Sequence, residues 1–215
     1  MQSGPGIVPL DAATLKTATS TLARAFRDDP MFEWVFPDAA TREQDLASLN
    51  RVAVEYGLRY GRATQSDGGR CVAIWLPPGE SMSMGRMARS GMLAAPFRVG
   101  FRPMAKFAGA NGVMDKVHKR HVTQPHWQLL IVGVDPSIQG QGRGSAIVRE
   151  GLGQADRSAL PCYLDTSKTA NLPFYEKLGF TVVEEAVLGK GGPPAWGMLR
   201  SPTPPPRIGP QRPGI

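Results

Sequence analysis

Apolar positions along the chain change period several times, and the changes divide it into elements. Leu15, Ala18, Leu22 and Phe26 recur at helical spacing, with Asp11 placed to cap the start. Thr41 and Gln44 form a capping box ahead of a second helical series, Leu46, Leu49, Ala53, Tyr56 and Tyr60. The turn signal Asp67-Gly68-Gly69 separates residues 63–66 from the apolar run 70–76 (RCVAIWL), which predicts a hairpin ended by Pro77-Pro78-Gly79. Residues 126–134 (HWQLLIVGV) are almost continuously apolar, as a strand buried on both faces is. Loop 135–141, helix 142–158, strand 162–165 and helix 171–178 follow, with Gly179 as the C-terminal stop of the last helix. Residues 180–188 and 195–200 read as a closing antiparallel pair around 189–194. This order predicts a mixed α/β domain built on a central sheet.

At 215 residues the chain suits one such domain, spanning residues 7–200. Residues 1–6 read as a flexible start, and 201–215, with six prolines and two glycines, as a disordered tail. Charge alters the picture of the middle. Residues 81–125 hold eight Lys/Arg against the single acid Asp115, so this segment carries a charge equal to the +7 of the entire chain. Six of the nine methionines also fall there, and its glycines and prolines predict short helices inserted between two strands. Two cysteines, Cys71 and Cys162, are too few for a disulfide framework, and no apolar run approaches a membrane span or a signal peptide. A cytoplasmic protein without membrane insertion is expected.

Val134 to Ser145 (VDPSIQGQGRGS) carries the clearest chemistry: a buried strand running through a glycine-rich loop into a helix. The first turn of a helix offers N–H groups without intrahelical partners and the positive end of the dipole, and glycines let phosphates approach the backbone. The dinucleotide fingerprint fails because Ser145 stands where its third glycine belongs, and the Walker loop fails because Ser145-Ala146 follow Gly144. The same glycines would also serve a tight loop with close packing of helix on sheet.

Gln139-x-x-Gly142-x-Gly144 after a strand ending in Val134-Asp135-Pro136, with the later segment Asn171 to Phe180 (NLPFYEKLGF), resembles the GCN5-related N-acetyltransferase (GNAT) superfamily. Within it the blocks 25–30, 72–75, 127–148 and 164–182 resemble the puromycin N-acetyltransferases. The resemblance implies a mostly antiparallel twisted sheet with a splayed parallel pair and helices on both faces. It implies acetyl-CoA as co-substrate, its diphosphate over Gln139, Gly140, Gln141, Gly142, Arg143, Gly144 and Ser145, and its pantetheine arm along Val132, Gly133 and Val134. The Val134 N–H would hold the oxyanion, Asn171 would bind pantetheine or cap its helix, and Tyr175 would act as general acid. A phenol of ordinary pKa near 10 protonates a thiolate whose conjugate acid lies near 8–9 at little cost.

The resemblance leaves the general base without an owner, since residues 127–134 hold no carboxylate. Asp28, Asp29 and Glu33 fall where it places the acceptor, with Trp34, Phe36, Tyr56 and Trp127 as candidate walls; Asp29, Glu33, Trp34 and Trp127 are the substrate-binding candidates carried forward. His118, His121 and His126 cluster within nine residues, but Lys116, Lys119 and Arg120 surround them and no thiol is near, so no metal is expected. The expected function is acetyl transfer to a primary amine of a small molecule, by a monomer or homodimer, without nucleic acid or membrane partners. Two alternatives stand beside it: acetylation of a protein or peptide amine, and a nucleic-acid module using residues 81–125, which lack a recognisable binding pattern.

Overall fold

The computed structural model describes residues 6–80 and 82–203, so the extreme start and most of the proline-rich tail lie outside the described residues. The order is β1 (Val8–Pro9), α1 (Leu15–Ala25), α2 (Pro30–Val35), α3 (Arg42–Tyr60), β2 (Arg62–Ser66), β3 (Cys71–Leu76), α4 (Met84–Arg89), α5 (Ala95–Val99) and α6 (Phe101–His121). Then come β4 (Trp127–Val134), α7 (Arg143–Arg157), β5 (Cys162–Thr166), α8 (Leu172–Glu176), β6 (Thr181–Val187) and β7 (Pro194–Arg200). Among the described residues the strands form one sheet in the order β1-β2-β3-β4-β5-β7-β6, antiparallel except for β4 beside β5. The near-continuous apolar run of β4 thus takes the middle of the sheet, where both faces need cover.

β3 shows how the layers divide. Its alternate residues Cys71, Ala73 and Trp75 pack with Ile147, Val148 and Leu152 of α7, whereas Val72 and Ile74 pack with Ala18 and Leu22 of α1 and Val54 of α3. Complete burial of all six β3 residues follows from this two-sided cover. The end of the sheet is covered by α6, whose Ala110, Met114 and Val117 meet Leu188 and Ala195.

Three local expectations need correction. Thr41 makes no capping box: its backbone is helical and its hydroxyl donates to Asp45 at 3.2 Å. Asp38 turns the chain instead, its carboxylate accepting from Ala40 N–H at 2.9 Å and its carbonyl from Arg42 N–H at 3.0 Å. Asp29-Pro30 starts a helix that the apolar period alone does not show, with the Asp29 carboxylate accepting from Met31 N–H at 3.0 Å and proline in the first turn. The basic insertion is dominated by a 21-residue helix, α6, because Gly109 and Gly112 lie within it without ending it and Pro103 falls in its first turn.

Candidate active site

β4 is paired along its length with β3 but touches β5 only from Trp127 to Leu129, opposite Cys162 to Leu164. Beyond Leu129 the parallel neighbours part and the sheet opens. Asp135 N–H donates to the Arg70 carbonyl at 2.8 Å, which fixes which backbone groups face β3. Alternation along an antiparallel strand then turns the N–H and C=O of Gly133 toward β3, and those of Val132 and Val134 toward the opening. The Val134 carbonyl accepts there from the Gln139 side chain at 3.0 Å.

Gly133 therefore offers no backbone pairing to a ligand in the opening. Its hydrogen side chain serves packing, because a Cβ there would stand 2.6 Å from Leu22 Cδ2 and 3.3 Å from Ala25 Cβ.

The loop after β4 is held from its base. Asp135 accepts from Ser137 N–H at 3.0 Å and from Arg24 Nη2 at 2.5 Å, and the Ser137 hydroxyl and then Arg24 hold its carboxyl well below the ordinary carboxylate range. Gly140 and Gly142 have φ of 75° and 76°, a left-handed backbone that side-chain-bearing residues adopt only at a cost. Helix α7 begins directly after Gly142, with the Ala146 N–H to Gly142 carbonyl bond at 3.0 Å as its first, so the N–H groups of Arg143 to Ser145 have no carbonyl a turn behind them. A 15-residue helix thus aims its positive end and these donors at the space beside β4. Arg143 adds less charge than its type suggests, since it pairs with Asp67 at 3.1 Å.

Tyr175 on α8 completes the opening from the other side. It is buried, packs edge-on against Phe174 and Phe180, and its phenol is pushed above its ordinary range first by burial and then by the negative charge of Asp29. Asn171, one turn earlier, donates to Thr166 Oγ1 at 3.2 Å and makes no side-chain cap.

Two cavities meet here. One of about 470 Å³ runs along Val132 to Val134, Gln139, Gly140 and Gly142 to Ser145, reaching Lys168, Asn171 and Tyr175. Another of about 180 Å³ lies between β4, the end of β5 and α6, lined by Phe32, Asn111, Met114, Ile131, Asp165 and Ser167 among others. Both include Phe26, Asp29, Val132, Asn171 and Tyr175, which form their junction.

The structure thus gathers most of the sequence candidates and leaves some out. Gln141 is exposed and outside both cavities. Glu33 lines neither and pairs with Arg42 at 3.3 Å. Trp34 lies under Lys106, 4.8 Å from its ring centre, and Trp127 at the far end of β4 donates to Ser158 at 3.0 Å; neither reaches the junction. These three line neither cavity, a placement that spacing along the sequence does not reveal. Asp29 does reach the junction, but its Oδ1 is engaged by Met31 N–H and by the Ser167 hydroxyl at 2.6 Å. Lys168, Ser167 and Asp165 were missed by sequence reading, although residues at the C-terminal end of a parallel strand are where α/β sheets place ligands.

In the insertion Arg86 pairs with Glu80, Lys119 with Asp115 and Arg120 with Glu184, while Lys106 donates to the Trp34 carbonyl. Much of the +7 segment is therefore partnered within the fold. His118 Nε2 meets His126 Nε2 at 2.7 Å and stacks on Tyr163, and burial, then the neighbouring His126, lowers it to about 4.

The Acetyltransferase (GNAT) domain family matches residues 105–182, from α6 through the first residues of β6. An uncharacterized N-acetyltransferase of Schizosaccharomyces pombe is 26% identical over 189 residues, 83% of this chain and 75% of that protein. Both matches are to N-acetyltransferases, and the family match falls on residues 105–182. The matched stretch contains the β4–β5 opening, the glycine loop and Tyr175. A mycothiol acetyltransferase of Streptosporangium roseum is 41% identical, but over 64 residues, 28% of this chain and 19% of that one. The GNAT fold itself is shared with a Corynebacterium glutamicum structure described as histone acetyltransferase HPA2 and related acetyltransferase, at TM-score 0.67 and 22% identity, over 94% of this chain and 99% of that one. The sheet, antiparallel but for one splayed pair, is the one the family resemblance implies.

Proposed function

We propose that the chain moves the acetyl group of acetyl-CoA to a primary amine of a small molecule, by direct attack of the amine on the thioester. The observation that carries this reading is the junction of two cavities where β4 leaves β5: donors for a diphosphate flank one, and the other is of small-molecule size. The diphosphate would lie on the N–H groups of residues 143–145, and pantetheine amides would pair with the outward-facing backbone of Val132 and Val134. The acetyl carbonyl then comes to the Val134 N–H, which stabilises the oxyanion as the amine nitrogen bonds to carbon.

Collapse of the adduct breaks the C–S bond, and Tyr175 hands its proton to sulfur. With the phenol pushed up by burial, that transfer is uphill against a thiolate in water. Desolvation acts on thiolates in the same sense: burial pushes Cys71 to about 11 and Cys162 to about 12. A CoA thiolate in the same water-poor junction rises likewise, which restores the match.

The resemblance to puromycin N-acetyltransferases adds aminoacyl-nucleosides to the acceptors worth assaying. Release of free CoA thiol in the presence of puromycin, aryl amines, polyamines or a peptide amine tests the reading. Turnover with a small amine is expected. Turnover confined to the peptide would move the function to protein acetylation, and no acetyl-CoA binding would end it.

A further inference from the structure

Two carboxylates line the smaller cavity, Asp29 and Asp165. Asp165 follows the last β5 residue paired with β4, so the parting of the strands exposes it to the opening. The residue is exposed to solvent at the mouth, while protein packs around its inner side. Its Oδ1 accepts from the Tyr163 hydroxyl at 2.6 Å, and no other hydrogen bond or ion pair reaches it among the described residues.

The surroundings supply no positive charge. The lining contains no Lys, Arg or His, and its other acid, Asp29, already caps α2 and accepts from Ser167. From α6, Asn111 faces the cavity and Asp115 adds negative charge; His118, stacked on Tyr163, is held neutral. Lys168 lies on the side of the larger cavity. A protein of net charge +7 thus keeps an acidic chamber at the point where an acceptor must enter. Phe26, Met31, Phe32, Met114 and Leu188 supply an apolar wall beside the neutral polar groups Asn111, Gln128, Thr166, Ser167 and Asn171.

We propose that Asp165 binds the acceptor's ammonium group and removes the proton that frees its lone pair, and that the acceptor is a primary amine on an apolar, arylalkyl-sized body without an anionic group. This rests on the acetyl-transfer reading of the same opening. The steps balance as follows. The ammonium gives one proton to Asp165, which passes it to water at the cavity mouth, and the neutral nitrogen forms the C–N bond. When C–S breaks, the proton of Tyr175 goes to sulfur, and the second proton leaving nitrogen restores the phenol. Although its outer side is open to solvent, desolvation by the protein packed around it lifts Asp165 to about 7, so it accepts a proton near neutrality and is spent as a base below that.

The test uses the full chain with acetyl-CoA and 2-phenylethylamine, read by thiol release from pH 5.5 to 9. Wild-type kcat/KM falls on the acid side of about pH 7, and Asp165→Asn lowers it by about 100-fold or more, the scale of a lost general base. The variant's residual activity loses the inflection near pH 7 and instead rises with pH throughout the range as the free-amine fraction does, its KM for the amine rises, and its affinity for acetyl-CoA is unchanged. Asp165→Glu recovers part of the rate, and a melting curve shows whether each variant is folded. Phenylalanine, which adds a carboxylate to the same body, reacts at least about tenfold less well, as like charge requires.

An Asp165→Asn rate within threefold of wild type, an inflection near pH 7 that survives the substitution, or equal turnover of phenylalanine overturns the proposal. If acetyl-CoA binds but neither amine reacts, this proposal alone falls. If acetyl-CoA does not bind, the acetyl-transfer reading falls with it.

Discussion

Leu22 of α1 fills the space that a side chain on Gly133 would need, with Leu22 Cδ2 only 2.6 Å from the Cβ position. The helix is thereby pressed onto the central strand beside the opening. Gly133→Ala is expected to destabilise the fold by about 1–3 kcal/mol through overpacking. Denaturant unfolding checks this, and Leu22→Ala in the same chain should recover part of the loss. Additive losses would show that Leu22 is not what Gly133 accommodates.

Gly142 poses a backbone requirement instead. A Cβ there meets nothing within 4 Å, but its φ of 76° sets the turn into α7. Gly142→Ala should therefore cost about 1–2 kcal/mol in the loop conformation that presents the Arg143 to Ser145 amides, roughly a tenfold loss of acetyl-CoA affinity. Calorimetric titration of the variant measures it; unchanged affinity would remove this turn from diphosphate binding.

Tyr175→Phe deletes only the phenolic oxygen from a buried ring that Phe174 and Phe180 continue to hold. A fall in kcat of about 100-fold or more, with acetyl-CoA affinity within twofold, is expected if the phenol protonates sulfur. Full turnover would return Tyr175 to a packing role.

Asp165 also gives a stability prediction with a definite sign. Its folded pKa, about 7, lies above the unfolded value, so the folded state binds more protons between them and stability falls as pH rises through that window. Asp165→Asn removes this penalty, and its melting temperature relative to wild type should be higher at pH 8 than at pH 5. A difference that does not change with pH would mean that the carboxylate is not held up by the fold. Asp156 behaves oppositely: Arg200, at 2.8 Å and 2.9 Å, lowers it, so that contribution is present above the unfolded pKa and lost as the solution is acidified.

The sheet and the glycine loop were legible in the sequence because their signals are local: an unbroken apolar run for β4, glycines between strand and helix, and a terminal glycine after α8. Orientation was not. Glu33 and Trp34 lie a few residues from Asp29, yet a single helical turn beginning at Pro30 sends them to Arg42 and Lys106 and leaves Asp29 at the junction. Asp165 escaped notice because its setting comes from the parting of β4 and β5 and from α6, all remote in sequence. The resemblance puts Gly133 along the pantetheine arm, whereas the contact that requires a glycine there is with Leu22 of α1.

The most direct measurement is a calorimetric titration of the full chain with acetyl-CoA. Saturable one-site binding, weakened in Gly142→Ala and retained in Tyr175→Phe, is expected of a diphosphate held by the loop amides beside β4. Absence of heat and of protection from unfolding at millimolar acetyl-CoA would contradict it.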